Sequence, residues 1–272
     1  MMLNFISTPI GNLNDISLRA IDIIRNSDYL YSEDTRKVQK LLQFIKIKVK
    51  PYSFYEHNEL KVNKTIIKRL KQNKTISIVS DAGTPVISDP GYKLIQECVK
   101  NNIKYTLIPG PSSVISALIM SGLPADKFSF YGFVPRKKLE QEKFFENIVN
   151  DEKTMVFFES SKRIEKTISN LIEFTGENRL ISICKEMTKI HEKTFRGKIS
   201  EINLLIQKKQ INIKGEIVVV LQGLKNKHIQ SFIDKEIKDK FLSKLSASES
   251  AKLISLITGE NKRDVYKKLI QT

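Results

Sequence analysis

The stretch TISIVSDAGTPVISDPG, residues 75–91, decides the fold. Thr75 to Ser80 is β-branched and apolar almost throughout, which predicts a strand buried on both faces. From Ser80 to Gly91 the chain packs two Asp, two Gly, two Pro and two Ser into twelve residues, more than a simple turn requires. A helical pattern follows, from Gly91 to Asn101. Strand, loaded loop and helix in that order form the unit of an α/β sheet, and such sheets bind ligands at the carboxyl ends of their strands.

Outward from this unit the alternation repeats. Leu3 to Ser7, Tyr29 to Ser32, Val49 to Phe54 and Lys104 to Ile108 read as strands or extended segments. Between and after them Ser17 to Asn26, Arg36 to Phe44, Asn58 to Gln72 and Ser112 to Met120 read as helices. Loop residues at Pro124 to Phe133 lead into further strands, at Phe128 to Phe133, Thr154 to Phe158, Leu180 to Cys184, Glu192 to Gly197 and Glu216 to Gln222. Their helices lie near Lys138 to Val149, Lys162 to Phe174 and Ile199 to Lys208. Several of these strands follow one another without a crossover helix, so this sheet is expected to be mixed. After Gly223 only helices are predicted, at Phe232 to Lys244, Ser248 to Ile257 and Asn261 to Ile270, with Thr258 and Gly259 as the last break. The expected organisation is two α/β domains, residues 1–111 and 112–223, and a small helix-turn-helix-like extension, 224–272.

Charge narrows the partners. Net charge is +16, and twelve basic residues between Arg36 and Lys74 face only Glu56 and Glu59, a balance of +10 in 39 residues. A field of that sign gathers phosphate backbones. A general drift of the sequence toward Lys, of which there are far more than Arg, gives the same count without a partner. Two cysteines, Cys98 and Cys184, sit far apart with no CxxC, which fits a reducing compartment. No signal segment or apolar run long enough to span a bilayer is read, so a cytoplasmic protein without a membrane partner is expected.

Three further loops invite chemistry. STPIGN (residues 7–12) links the first strand to its helix, with Gly11 allowing close approach and Ser7, Thr8 and Asn12 offering hydrogen bonds. PGPSS (109–113) repeats the arrangement, and Ser112 either caps the next helix or faces the same cleft. Glu33-Asp34-Thr35-Arg36 ends another strand, where the carboxylates either orient a hydroxyl or cap a helix. GxGxxG, GxxxxGK and GxSxG are absent, which argues against dinucleotide, P-loop and serine-hydrolase sites. His57 lies between acids in EHNE, but no second His stands at ligand spacing, and no metal site is expected.

Taken together and in order, STPIGNLNDIS, EDTR, EHNE, VSDAGTPVISDPG, PGPSS, SGLPADKFSFYGFVPRK and FFESSKRI make the chain resemble the ribosomal RNA small-subunit methyltransferase I family, of the tetrapyrrole methylase superfamily. The resemblance covers essentially the whole chain. It implies two α/β domains with S-adenosylmethionine in the cleft between them, a homodimer, and 2′-O-methylation of a cytidine in small-subunit rRNA, free or in the assembled subunit. It also implies cofactor contacts at Pro9, Asp81, Ala82, Gly83, Val86, Ser112 and Ser113, with Glu159, Met187 and Val219 from the second domain. Where many superfamily members have Gly-Gly-Asp, this chain has Asp81-Ala82-Gly83, so the role of that carboxylate does not carry over.

An in-line methyl transfer needs alignment more than a strong base. Glu33, Asp34 and Lys185 are the candidate bases, and Arg36 the candidate phosphate anchor. Tyr52, Phe54, Tyr55 and His57 are candidates either for stacking on bases or for the core. The competing readings are a tetrapyrrole (precorrin-type) small-molecule methyltransferase on the same fold, and a non-catalytic RNA-binding protein. Cofactor binding separates the second from the others.

Overall fold

A computed structural model describes residues 2–224, 235–258 and 261–270. Two sheets carry residues 2–224. The first is wholly parallel in the order β3-β2-β4-β1-β5, built from β1 (Met2–Ile6), β2 (Tyr29–Ser32), β3 (Pro51–Ser53), β4 (Thr75–Val79) and β5 (Tyr105–Ile108). Helices α1 (Leu18–Arg25), α2 (Thr35–Phe44), α3 (Glu59–Lys71) and α4 (Tyr92–Lys100) supply its crossovers. Alternate residues of each strand feed opposite cores. Leu3, Phe5, Ile76 and Ile78 pack with Ile66, Leu70 and Leu94 of α3 and α4. Ile6 and Val79 pack on the other face with Ala20 and Ile24 of α1 and Leu41 and Leu42 of α2. Only Pro51–Ser53 of the expected extended segment pairs as strand.

The second sheet has the order β6-β7-β10-β8-β9 and is mixed, as its sequence suggests. Its strands are β6 (Phe128–Phe133), β7 (Thr154–Ser160), β8 (Leu180–Lys185), β9 (Lys193–Lys198) and β10 (Glu216–Leu221), of which only β6 and β7 run parallel. On one face Met155, Phe157, Ile181, Ile183, Ile217 and Val219 pack against α6 (Lys138–Asn150), α7 (Ile164–Thr175) and α8 (Ile199–Gln207). On the other, Val156, Cys184, Val218 and Val220 receive Val114, Ala117 and Leu118 of α5 (Ser113–Ser121) together with Ile10.

In the extension, α10 (Ala247–Thr258) and α11 (Lys262–Ile270) bury Ala251, Ile254, Val265 and Leu269 around Phe241 of α9 (Lys235–Leu242). The expected start of the first of these helices, Phe232 to Asp234, lies outside the described residues, as does Gly259. Thr258 is the last residue of α10 and not part of a break. Among the described residues no helix is long and apolar enough to cross a membrane.

Gly11 is where a loop of the first sheet meets one of the second. A Cβ there would lie 2.5 Å from Lys189, 2.6 Å from the Thr188 hydroxyl and 2.8 Å from the Met187 carbonyl, while the next amide, of Asn12, donates to that hydroxyl at 2.9 Å. Two side chains and a backbone oxygen must move together to admit a methyl group. Gly11→Ala is expected to lower stability by about 1–3 kcal/mol, the usual cost of overpacking, read as an earlier urea midpoint with unchanged slope. An unchanged midpoint would show that the 187–189 loop yields freely.

Candidate active site

Strand order builds the site. Because β1 lies between β4 and β5, the loops that leave their carboxyl ends emerge side by side. Thr8 and Gly83 form an antiparallel bridge, Thr8 N–H to Gly83 O at 2.9 Å and Gly83 N–H to Thr8 O at 3.0 Å. The Thr8 hydroxyl donates to Ser80 O at 3.0 Å and the Ser80 hydroxyl to Gly83 O. Ser7 donates to Thr84 at 3.3 Å, and Thr84 to Pro111 O at 3.4 Å. Three loops thus form one floor. Gly83 holds a left-handed φ of +82°, a conformation that favours glycine.

The neighbouring strand β2 adds charge. Asp81 accepts the Asp34 amide at 2.8 Å and pairs with the Lys37 ammonium at 2.9 Å, which raises the pKa of Lys37. Glu33 faces the cavity, and partial burial with the nearby Asp81 charge raises its pKa. Asp89, farther along the same loop, is lifted to about 7 by burial and by the charges of Glu33 and Asp81, against the pull of Lys37.

The second sheet supplies the opposite wall of a cavity of about 560 Å³, within the usual range for small-ligand sites. Met187, Phe158 and Val218 present apolar surface, with Phe133 at the rim. Glu159 is enclosed and fully committed: Ser160 N–H donates to it at 2.6 Å, the Thr167 hydroxyl at 2.7 Å, and the Arg163 guanidinium pairs with it at 2.7 Å. These bonds hold the 159–163 turn. Five carboxylates, Glu33, Asp81, Asp89, Glu159 and Glu216, line the cavity against one ammonium, Lys37.

The expected residues divide. Asp81, Ala82, Gly83, Ser112, Ser113, Glu159, Met187 and Glu33 all line the cavity. Ser112 does so while also capping α5, its hydroxyl accepting the Ile115 amide. Pro9, Val86 and Val219 do not reach it. Ile10 lines it in place of Pro9, Val86 turns toward the core beneath the first sheet, and Val219 is fully buried against α6 to α8 while its neighbour Val218 faces the cavity. Strand alternation explains the last exchange, since one step along β10 reverses the face.

Of the catalytic candidates, Asp34 caps α2 through the Arg36 amide at 2.9 Å and chelates the Arg36 side chain, which brings its pKa down to about 2. Neither Asp34 nor Arg36 lines the cavity. Lys185 is buried on another face, its ammonium donating to Asn212 O at 2.9 Å. Among the aromatic candidates Phe54 is core, whereas Tyr52 and Tyr55 are exposed and Tyr55 lies edge-on to His57. Lys37, Ile87, Ser88, Asp89 and Glu216 are cavity residues that sequence reading passed over. For Asp89 the signal was present, in a loop already marked as overloaded. Glu216 is brought in by tertiary structure alone.

Comparison with known proteins agrees with this fold. The family described as Tetrapyrrole (Corrin/Porphyrin) Methylases matches residues 2–203. Among solved structures, diphthine synthase superposes with a TM-score of 0.61 at 15% identity, covering 82% of this chain and 90% of that one. A cobalt precorrin-4 methyltransferase gives 0.61 at 16%, covering 81% and 94%. These likenesses establish the fold. The protein named ribosomal RNA small subunit methyltransferase I in Thermotoga maritima is 44% identical over 218 residues, 80% of this chain and 96% of its own length. Its namesake in Rickettsia prowazekii is 41% identical over 268 residues, 98% and 93% of the two chains. The chain therefore belongs to the ribosomal RNA small subunit methyltransferase I family, within the tetrapyrrole methylases.

Proposed function

We propose that the protein transfers a methyl group from S-adenosylmethionine to the ribose 2′-hydroxyl of a cytidine in small-subunit rRNA, acting in the cytoplasm as a homodimer. The observation that carries the cofactor assignment is the sign of the cavity. In a chain of net charge +16, the one cleft where the loops converge is lined by five carboxylates and a single ammonium. A sulfonium and an α-amino group are cations that such a lining attracts, and Met187, Phe158, Ile10 and Val218 offer apolar walls for a nucleoside. The residues therefore fit the group. The local concentration of basic residues between Arg36 and Lys74 favours an RNA substrate over the small-molecule alternative.

When bound, S-adenosylmethionine supplies an electrophilic methyl group. The chain's own part is positional. The bridged Thr8–Gly83 floor and the Gly83 backbone hold one side, Met187 and Val218 the other, and Lys37 keeps Asp81 paired. Eleven exposed basic residues between Arg36 and Lys74 lie on α2, on α3 and on the segments flanking β3 and preceding β4, where they would hold the RNA backbone. Dimerisation is supported by α5, which exposes Ile115, Ile119 and Met120 on one helical face.

Incubating the protein with small ribosomal subunits and isotopically labelled S-adenosylmethionine, then mapping ribose methylation by mass spectrometry, tests the assignment. Label is expected on one cytidine ribose, and label confined to bases would overturn the reading. Gly83→Val is expected to weaken cofactor binding at least tenfold by calorimetry, because it places a β-branched side chain at positive φ on the floor.

Changing Lys46, Lys48 and Lys50 together to Gln should flatten the plot of log affinity for rRNA against log salt by up to about 2–3 units of slope, if each neutralises one phosphate. An unaltered slope would make those lysines ordinary solvated surface.

Ile119→Asp is expected to shift sedimentation from dimer to monomer while circular dichroism stays unchanged. A variant that remains dimeric would place the interface elsewhere.

A further inference from the structure

We infer that a second cavity, at the end of the mixed sheet around Lys185, holds a phosphodiester of the RNA strand that enters the cleft, an inference that rests on the rRNA methylation proposed above. Lys185 leads to it. The residue is only 8% exposed, yet its ammonium donates a single hydrogen bond, to the Asn212 carbonyl at 2.9 Å, and forms no ion pair among the described residues. A buried charge without a counter-ion is costly. The next residue, Glu186, does not supply one: its carboxylate accepts the Glu216 amide at 2.8 Å and pairs with the Lys189 ammonium at 3.1 Å. Its pKa is lowered first by that amide, and by Lys185 only after Lys189.

The cavity around this ammonium has a volume of about 660 Å³, and its free polar groups are donors. Lys193, Lys214 and His191 line it, all exposed and none with an ion pair or side-chain hydrogen bond among the described residues. The other acid on its wall, Glu192, is taken by the Thr188 amide at 2.6 Å. Strand pairing makes the cluster. Lys185 ends β8 and Lys193 begins β9 directly opposite it in the antiparallel register, while Lys214 stands two residues before β10. Like charges directly opposite on paired strands repel, so this pair weakens the sheet end unless an anion lies between them. Phe195, two residues along β9, and Ile211 form an apolar back wall, and low polarity beside cations strengthens their hold on an anion.

Position selects the source of that anion. Gly215 lines both this cavity and the cleft, and its φ of +99° and the Glu186 carboxylate packed against it exclude a side chain there. A strand crossing from one cavity to the other therefore meets bare backbone. The basic segment from Arg36 to Lys74 belongs to the first sheet, so Lys185, Lys193 and Lys214 give the second sheet its own grip on the same polyanion. Three compact ammoniums suit a phosphate as point charges. A free phosphate ion shares this chemistry, and the experiment separates the two.

Affinity for small ribosomal subunits, measured across a salt series, tests this. Lys185→Met is expected to bind subunits roughly tenfold more weakly at physiological salt, the worth of one charge-assisted hydrogen bond. Its plot of log affinity against log salt should be shallower by about 0.7, the contribution of one single-stranded phosphate. Calorimetric affinity for S-adenosylmethionine should be kept, and Lys185→Arg should restore the slope. A lysine that only pins the Asn212 carbonyl would leave the slope unaltered, and that result overturns the inference. Lys193→Gln combined with Lys214→Gln, at two exposed positions, asks the same question without touching the interior: a slope flatter by about 0.7 supports the site, and an unaltered one overturns it. Inorganic phosphate that raises the melting temperature of wild type but not of Lys185→Met, while both keep the same slope, would assign the cavity to a free anion and overturn the RNA reading of it. Wild-type protein with no affinity for subunits overturns the rRNA function itself, a result distinct from unaltered slopes in the variants.

Discussion

The site depends on a short antiparallel bridge between Thr8 and Gly83, made across two loops that leave parallel strands. The strands alone bring β1 and β4 to the same edge; the bridge and the hydroxyls of Thr8 and Ser80 satisfy the backbone groups that would otherwise point unpaired into the cleft. Everything on the first wall is referenced to it. Asp81 follows Ser80 and reaches Lys37 and the Asp34 amide, so the ends of β1, β2 and β4 become one connected surface.

Charge is organised on two scales that oppose each other. The exterior of α2 and α3 is basic, and the cleft between the sheets is acidic. Over distances beyond a Debye length, ~8 Å at physiological salt, the exterior lysines are screened from the cleft, so each region acts locally on its own partner. A polyanion and a small cation can be attracted to the same molecule without competing for the same field.

Much of this was legible in the sequence, and the failures have physical causes. Both sheets follow from buried β-branched runs, and the cavity-lining loops of the first sheet from their excess of Gly, Pro and Asp. The loop from Ser80 to Gly91 was readable because a strand, a loop and a helix are contiguous, whereas the individual positions Asp81 to Gly83 came from the family resemblance. Lys185 was named as a candidate base on residue type alone, and the direction of its ammonium, toward the Asn212 carbonyl, is set by tertiary structure that the sequence does not display. Asp34 stayed open between capping and catalysis because both call for the same residue type, and the geometry of the Arg36 amide bond shows the cap. Glu216 comes from a strand that precedes nothing recognisable; its place at the cleft is a property of pairing with β7 and β8.

One consequence follows from the orientation of β10. Val218 and Val219 are chemically identical neighbours, yet one looks into the cleft and the other into the packed interior behind the sheet. Enlarging or shrinking the first changes the shape offered to a bound molecule; doing so to the second disturbs the jigsaw of Phe157, Ile183 and the helices. Recognition and packing thus lie a single peptide unit apart: the first valine borders both the cleft and α5, and the second only the interior behind the sheet.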